Sequence, residues 1–266
     1  MLTLLLALQA AVGQSTTVSV DSNVDMEILV RDGLGENRRV LSLVRKEKFA
    51  QEVTEVAEGR PRSVKVKVLS STLQRSGTDI PIEVKPTALA GKVFASTKSG
   101  DGWAARDLQG GAPPVEAVHL GAWNEVARLM PKDVPQAGAQ WQVEGRDFLS
   151  VLYPMGLAEA VGKLDCVCES ADAGKVVITF KGQIQGRPKD ESVTKLLMDV
   201  KAGKLVYDVA KQRPVSLTLS GGLESALDQV EVYRKPGSVG ANEEERRKVG
   251  EILVKNAKIE LSIAFE

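Results

Sequence analysis

A single histidine and two cysteines are all that 266 residues offer as soft metal ligands. One His excludes a His-cluster metal centre, and two Cys cannot build the disulfide framework of a small secreted scaffold. Neither sign of charge is in excess, since 35 Lys and Arg balance 35 Asp and Glu. No net field gathers phosphate backbones, so nucleic acid is not an expected partner. Aromatic residues make up 4% of the chain, which argues mildly against a ligand pocket, because such pockets usually carry aromatic side chains. No run approaches the roughly 20 apolar residues that span a bilayer as a helix, so no transmembrane segment is expected in the mature chain. The catalytic motifs with a known mechanism are also missing: there is no G-x-S-x-G elbow and no H-E-x-x-H. Ala173-Gly174-Lys175 lacks the Ser or Thr of a P-loop, and Gly33-Leu34-Gly35 lacks the third Gly of a dinucleotide fingerprint.

What is present is an ordinary globular composition, 43% hydrophobic, with length for one large domain or two small ones. The start, MLTLLLALQAAVGQS, carries an uncharged stretch from Leu2 to Val12 followed by small residues. Ala11 and Gly13 have the spacing of an A-x-A-like cleavage site, although no Lys or Arg precedes the run. The expectation is a signal peptide over 1–13, a mature chain from Gln14, and a periplasmic or extracellular location.

Period-two alternation dominates the remainder. Val64, Val66 and Val68 alternate with Lys65 and Lys67; Val176, Ile178 and Phe180 repeat the pattern, as do Val215, Leu217 and Leu219. The C-terminus does so over nine residues, with Ala257, Ile259, Leu261, Ile263 and Phe265 on one side, and Met26, Ile28 and Val30 alternate near the start. Such stretches are strands with one wet face, and the turns between them indicate antiparallel sheet. Hairpins are expected at Lys201-Ala202-Gly203-Lys204, at Ala173-Gly174 and at Glu58-Gly59-Arg60-Pro61. Residues 110–162 differ, holding Pro113, Pro114, Pro131, Pro135 and Pro154. Within them 118–130 reads as a short helix, with Val118, Ala122, Val126 and Leu129 on one face, and Phe148, Leu149 and Leu152 suggest another helical turn. In the polar insertion 235–248, Asn242 could cap a helical turn beginning with Glu243, Glu244 and Glu245, or the segment is a loop. The fold class is therefore mainly β: antiparallel curved sheets in two lobes, 14–112 and 163–266, joined by a Pro-rich linker over 113–162 with one or two short helices.

Two stretches resemble a loose group of exported bacterial β-rich proteins of unknown function. One comprises 89–113 and 128–143, with Leu129, Pro131, Gly138 and Trp141 at its punctuation points and Met130 interrupting the Leu-Pro pair; the other is 202–224, with a Gly203, Tyr207, Asp208 hairpin. The resemblance implies an exported β protein and carries over no catalytic residue. A remoter similarity of architecture is to periplasmic lipoprotein carriers, which implies a curved sheet able to hold an acyl chain.

Individual residues carry competing readings. His119 is the one ordinary general base by type, but without an oriented nucleophile it reads as a surface or packing residue. Cys166 and Cys168 flank Val167 in a strand, on one face and about 6.5–7 Å apart, at the upper limit for a bridge. Two reduced thiols are expected, with a strained disulfide as the alternative that an oxidising compartment favours. Asp79, Asp101, Asp107, Asp165 and Asp208 show no spacing that pairs two of them for hydrolysis or calcium binding. Trp103, Trp123 and Trp141 either share an exposed platform or, as expected, anchor the linker through indole hydrogen bonds. The mixed-sign runs RKEK at 45–48 and NEEERRK at 242–248 read as solvated.

No catalytic, cofactor or metal residue is assigned, and no enzymatic activity or cofactor is expected. Two functional classes remain: a structural or interaction module with a protein partner, or a carrier or sensor for a hydrophobic small molecule. A cavity of about 300–1,000 Å³ lined by Leu, Ile and Val separates them. A cleft joining His119 to a carboxylate and a hydroxyl would revive an enzyme.

Overall fold

A computed structural model describes residues 11–57, 60–100, 102–152, 157–172, 174–189, 193–234 and 244–266, with backbone alone over 231–234 and 244–247. Residues 1–10 of the expected signal peptide, Glu58 and Gly59 of one turn, Asp101, Pro154, Ala173, and Asn242 and Glu243 of the polar insertion lie outside the described residues.

The first half supplies β1 (Ser15–Asp32), β2 (Gly35–Ala57), β3 (Arg60–Gly77), β4 (Ile80–Pro86), β5 (Val93–Ser99) and β6 (Gly102–Asp107). The second supplies β7 (Gln140–Glu144), β8 (Leu157–Asp172), β9 (Lys175–Pro188), β10 (Val193–Asp208), β11 (Arg213–Arg234) and β12 (Glu244–Phe265). The chain is mainly β, in one open antiparallel sheet of order β6-β5-β3-β2-β1-β12-β11-β10-β9-β8-β7, with β4 pairing β3 off this path. Segments 14–112 and 163–266 are joined edge to edge at its centre, where β1 pairs β12 from Val18 against Phe265 to Asp32 against Gly250.

The alternation does what period two requires. Val64, Val66 and Val68 are buried, as are Val176, Ile178 and Phe180, and Ala257, Leu261, Ile263 and Phe265. Near the start the pattern changes. Leu29 is buried while Met26, Ile28 and Val30 are only partly so, because the β1–β12 register shifts between Asp25 and Glu27, next to Asn256 at φ 50°.

Two turn assignments need correction. Residues 201–204 are not a hairpin but lie inside β10, which bulges between Val200 and Gly203. Gly203 stands there opposite Phe180, and a Cβ on it would overlap that ring. The chain reverses instead over 209–212, where Asp208 Oδ1 accepts from the Lys211 N–H at 2.9 Å and Gln212 takes φ 53°. The helical turn expected from Glu243 is likewise absent at Glu244 and Glu245, which are extended in β12 and paired with Arg234 and Tyr233. The strands near the polar insertion thus run longer than its composition suggested.

The helix expected over 118–130 is a relay of short pieces: a 3₁₀ turn at Val115–Val118, α1 (His119–Ala122) and a 3₁₀ stretch at Trp123–Leu129. Its buried residues do not form one stripe, since Leu120, Gly121, Ala122 and Trp123 are buried consecutively. Enclosure on several sides, rather than one amphipathic face, stabilises it. The second helix, α2 (Gly145–Leu152), buries Phe148, Leu149 and Val151.

These helices reveal the sheet's curvature. Eleven strands side by side would spread a flat sheet over about 48 Å. Yet α1 touches β3, β5 and β6 near one edge, α2 touches β7, β8 and β9 at the other, and α1 touches α2. The sheet therefore curls around the helical layer, and the core lies between them. Polar contacts pin the layer: Lys98 Nζ donates to Glu125 at 2.6 Å, Arg128 pairs with Glu125 and with Asp147, and Gln51 and Asn124 exchange amide hydrogen bonds at 3.0 and 3.2 Å.

Candidate functional site

Beside Leu149 and Leu152 of α2, a cavity of about 310 Å³ lies between the helical layer and the curved sheet. Its floor is Val20 and Val24 of β1, Ile259 and Leu261 of β12, and Leu196, Met198 and Leu223 of β10 and β11; its roof is Trp123, Leu149 and Leu152. Val20, Met198, Trp123 and Leu149 are buried, whereas Val24, Leu152, Leu223 and Ile259 are half-buried. The cavity therefore has a closed end and a mouth.

Four polar residues complete the wall: Ser22, Arg45, Glu47 and His119. Arg45 and Glu47 correct the reading of RKEK as solvated. Counting back in twos from buried Phe49 puts Glu47 and Arg45 on the inner face of β2 and sends Lys46 and Lys48 outward. That periodicity was the available clue; mixed charge obscured it. Glu47, with a side chain 4% exposed, accepts from Arg45 Nε at 2.8 Å and from Ser71 Oγ at 3.1 Å. The buried carboxylate is thus paired and hydrogen-bonded, as burial of a charge requires. Ser22 stands directly across from Arg45 in the β1–β2 ladder.

His119 opens α1 and faces the cavity, its ring 6.4 Å from that of Trp123. Burial, followed by the nearby Arg45 charge, lowers its pKa to about 4, so the imidazole is neutral at pH 7. Glu47 is the carboxylate and Ser22 the hydroxyl that share its cavity, but no nucleophile–base hydrogen bond links the three among the described residues.

The other singled-out residues lie elsewhere. Cys166 and Cys168 are free and buried; burial pushes the Cys166 thiol up to about 12, Asp165 adding to it. Trp141 donates its indole N–H to the Leu129 carbonyl at 3.0 Å, the anchoring role expected of it. Trp103 and Trp123 are buried too, so the three share no exposed platform, but their indole N–H groups have no hydrogen-bond partner among the described residues. Asp107 is held below the usual carboxylate range chiefly by the Lys92 ammonium, 2.9 Å away. Among the described residues no group of three or more His, Cys, Asp or Glu is placed to hold a metal ion, and no helix is long and apolar enough to cross a membrane.

A second cleft, of about 270 Å³, lies at the opposite end of the inner face near Thr16, Gln51, Asn124 and Arg213. Its polar groups largely satisfy one another, Gln51 with Asn124 and Arg213 with Thr16. The apolar cavity is the stronger candidate because burying an apolar molecule there removes hydrocarbon from water on both sides.

No protein-family model matches the chain, and no curated protein matches it. Among solved structures, one of lipovitellin, described as showing lipid–protein interactions, overlaps 96% of this chain at 8% identity and a TM-score of 0.45. This chain spans 25% of the lipovitellin chain. A domain described as an outer-membrane lipoprotein-sorting protein from Vibrio parahaemolyticus overlaps 92% of this chain and 85% of its own at 12% identity, with a TM-score of 0.15. At these values the overlaps say nothing of what this chain binds.

Proposed function

We propose that this protein is an exported, non-enzymatic carrier or sensor that holds a hydrophobic small molecule between its curved sheet and helical layer. The observation that carries this is the cavity of about 310 Å³ walled mainly by Leu, Ile, Val and Met. That volume reaches the range of small-molecule sites, whereas a purely structural module would be filled by its own side chains. The neutral His119 without an oriented nucleophile supports a binding role rather than catalysis. Export rests on the uncharged Leu2–Val12 run and the small residues that follow it.

Native mass spectrometry of protein purified from its own host tests the proposal. The expected spectrum contains a released small molecule below about 300 Da, and Leu152→Trp, which fills the cavity mouth, removes it. Absence of any such mass, together with failure of the purified protein to bind 1-decanol, would overturn the carrier reading. Intact mass of secreted protein retaining Met1 would overturn the export reading.

A further inference from the structure

The cavity's polar wall is unequal in donors and acceptors, and the inequality bears on what occupies it. Arg45 donates Nε–H to Glu47, and among the described residues its terminal amino groups have no protein acceptor. Trp123 is 6% exposed, lines the same cavity, and leaves its Nε1–H unpartnered. The Arg45 side chain is 26% exposed, so its amino groups still reach water, whereas the buried Trp123 donor is costly unless an acceptor meets it. The acceptor already present, Glu47 Oε1, receives both Arg45 and Ser71. His119 stays neutral and so adds no second positive charge, and its ring offers one N–H and one acceptor nitrogen.

An occupant with a cationic or donor-only head would meet the Arg45 charge and leave the Trp123 donor idle. An occupant with an accepting head satisfies both. A carboxylate does so best, because guanidinium and carboxylate match in plane and charge. The Glu47 bond holds the Arg45 side chain by its Nε and leaves the terminal amino groups for that contact. The volume then limits the tail. At about 30 Å³ for each water-sized group, 310 Å³ holds roughly ten heavy-atom groups.

We infer that the cavity selects a medium-chain amphiphile with a carboxylate head, a free fatty acid of about eight to ten carbons, with Arg45 anchoring the head and the Trp123 indole N–H supplying a second donor. This rests on the carrier reading and adds a head-group preference to it. The apolar floor takes the chain, and the half-buried mouth lets it enter. Glu47 opposes a second negative charge nearby, so a dianionic phosphate head binds less well than a monoanionic carboxylate.

Isothermal titration of the full chain at pH 8 with decanoate, 1-decanol, decyl phosphate and decyltrimethylammonium separates the possibilities. Decanoate should bind about tenfold or more tighter than decanol, and the cationic amphiphile weakest. Arg45→Met should bring the decanoate-to-decanol ratio close to one with decanol affinity little changed, and Trp123→Phe should lower the ratio by a smaller factor. Arg45→Lys keeps the charge without the planar fork and should keep part of the preference, which serves if the Met variant does not fold. Equal binding of decanoate and decanol by the wild-type chain would overturn the head-group inference and leave the carrier reading standing. A preference for decyl phosphate over decanoate would overturn it in the same way. Failure of all four amphiphiles to bind would overturn both.

Discussion

Gly203→Ala should destabilise the protein, although the backbone at this position accepts alanine. Gly203 lies inside β10, opposite Phe180 in the ladder, at a bulge, and its φ is not in the left-handed region. The constraint is space. An added Cβ would overlap the Phe180 ring, 2.5 Å from Cδ2 and nearer still to Cε2 and Cζ. Ordinary carbon contacts lie at about 3.5–4.0 Å, so the ring must retreat by more than 1 Å. It has little room to do so: Phe180 is 2% exposed and stands edge-on to Phe148 of α2 with ring centroids 5.6 Å apart. Overpacking of this kind costs about 1–3 kcal/mol. The loss of glycine's freedom in the unfolded chain returns about 0.5–1 kcal/mol, leaving a net loss of about 1–2 kcal/mol. Urea denaturation followed by tryptophan fluorescence should show a lower midpoint with an unchanged slope. Phe180→Leu in the same chain should remove most of the penalty, so the double-mutant cycle should give a favourable coupling of about 0.5–2 kcal/mol. If Gly203→Ala alone is as stable as wild type, the packing of β10 under Phe180 is misplaced.

Leu261 and Leu217 test how the cavity affects stability, since Leu261 borders it and is 6% exposed while Leu217 is fully buried away from it. Leu261→Ala should cost about 2–3 kcal/mol and Leu217→Ala about 3–5 kcal/mol by denaturation midpoint; the reverse order would count against an empty space beside Leu261. Because the folded-state pKa of His119 is lowered from 6.5 to about 4, the folded chain binds fewer protons than the unfolded one between those values. Its contribution is complete above pH 6.5 and is lost as pH falls towards 4, by about 3 kcal/mol in all, so His119→Gln should lose less stability than wild type from pH 7 to 5. Parallel profiles would mean that His119 is solvated. A thiol reagent should leave Cys166 and Cys168 untouched in the native protein and find two sulfhydryls after denaturation in urea, because both are free and buried; two rapid reactions under native conditions would refute the burial.

Strand content and much of the core follow from local alternation. Val64, Val66 and Val68, or Leu261, Ile263 and Phe265, show their inner face in any stretch of five residues, because consecutive side chains on an extended backbone must point to opposite sides. Arg45 and Glu47 were within reach of the same count, from Phe49 backwards, although their charges suggested water. Other features depend on distant partners. Gly203 looks like a turn residue because glycine permits turns; it lies in a strand because Phe180, on another strand, needs the space above it. The pairing of β1 with β12 joins residues more than 200 positions apart, and no short window of sequence encodes which edges meet. The cavity is further still from local reading. Most residues lining it are those of an ordinary core, and the empty volume exists because the described helical layer, through Leu152, does not fill the space over the strands beneath. A void is the difference between two packed surfaces, so it is decided only when the sheet has curled and the helices have been seated against it.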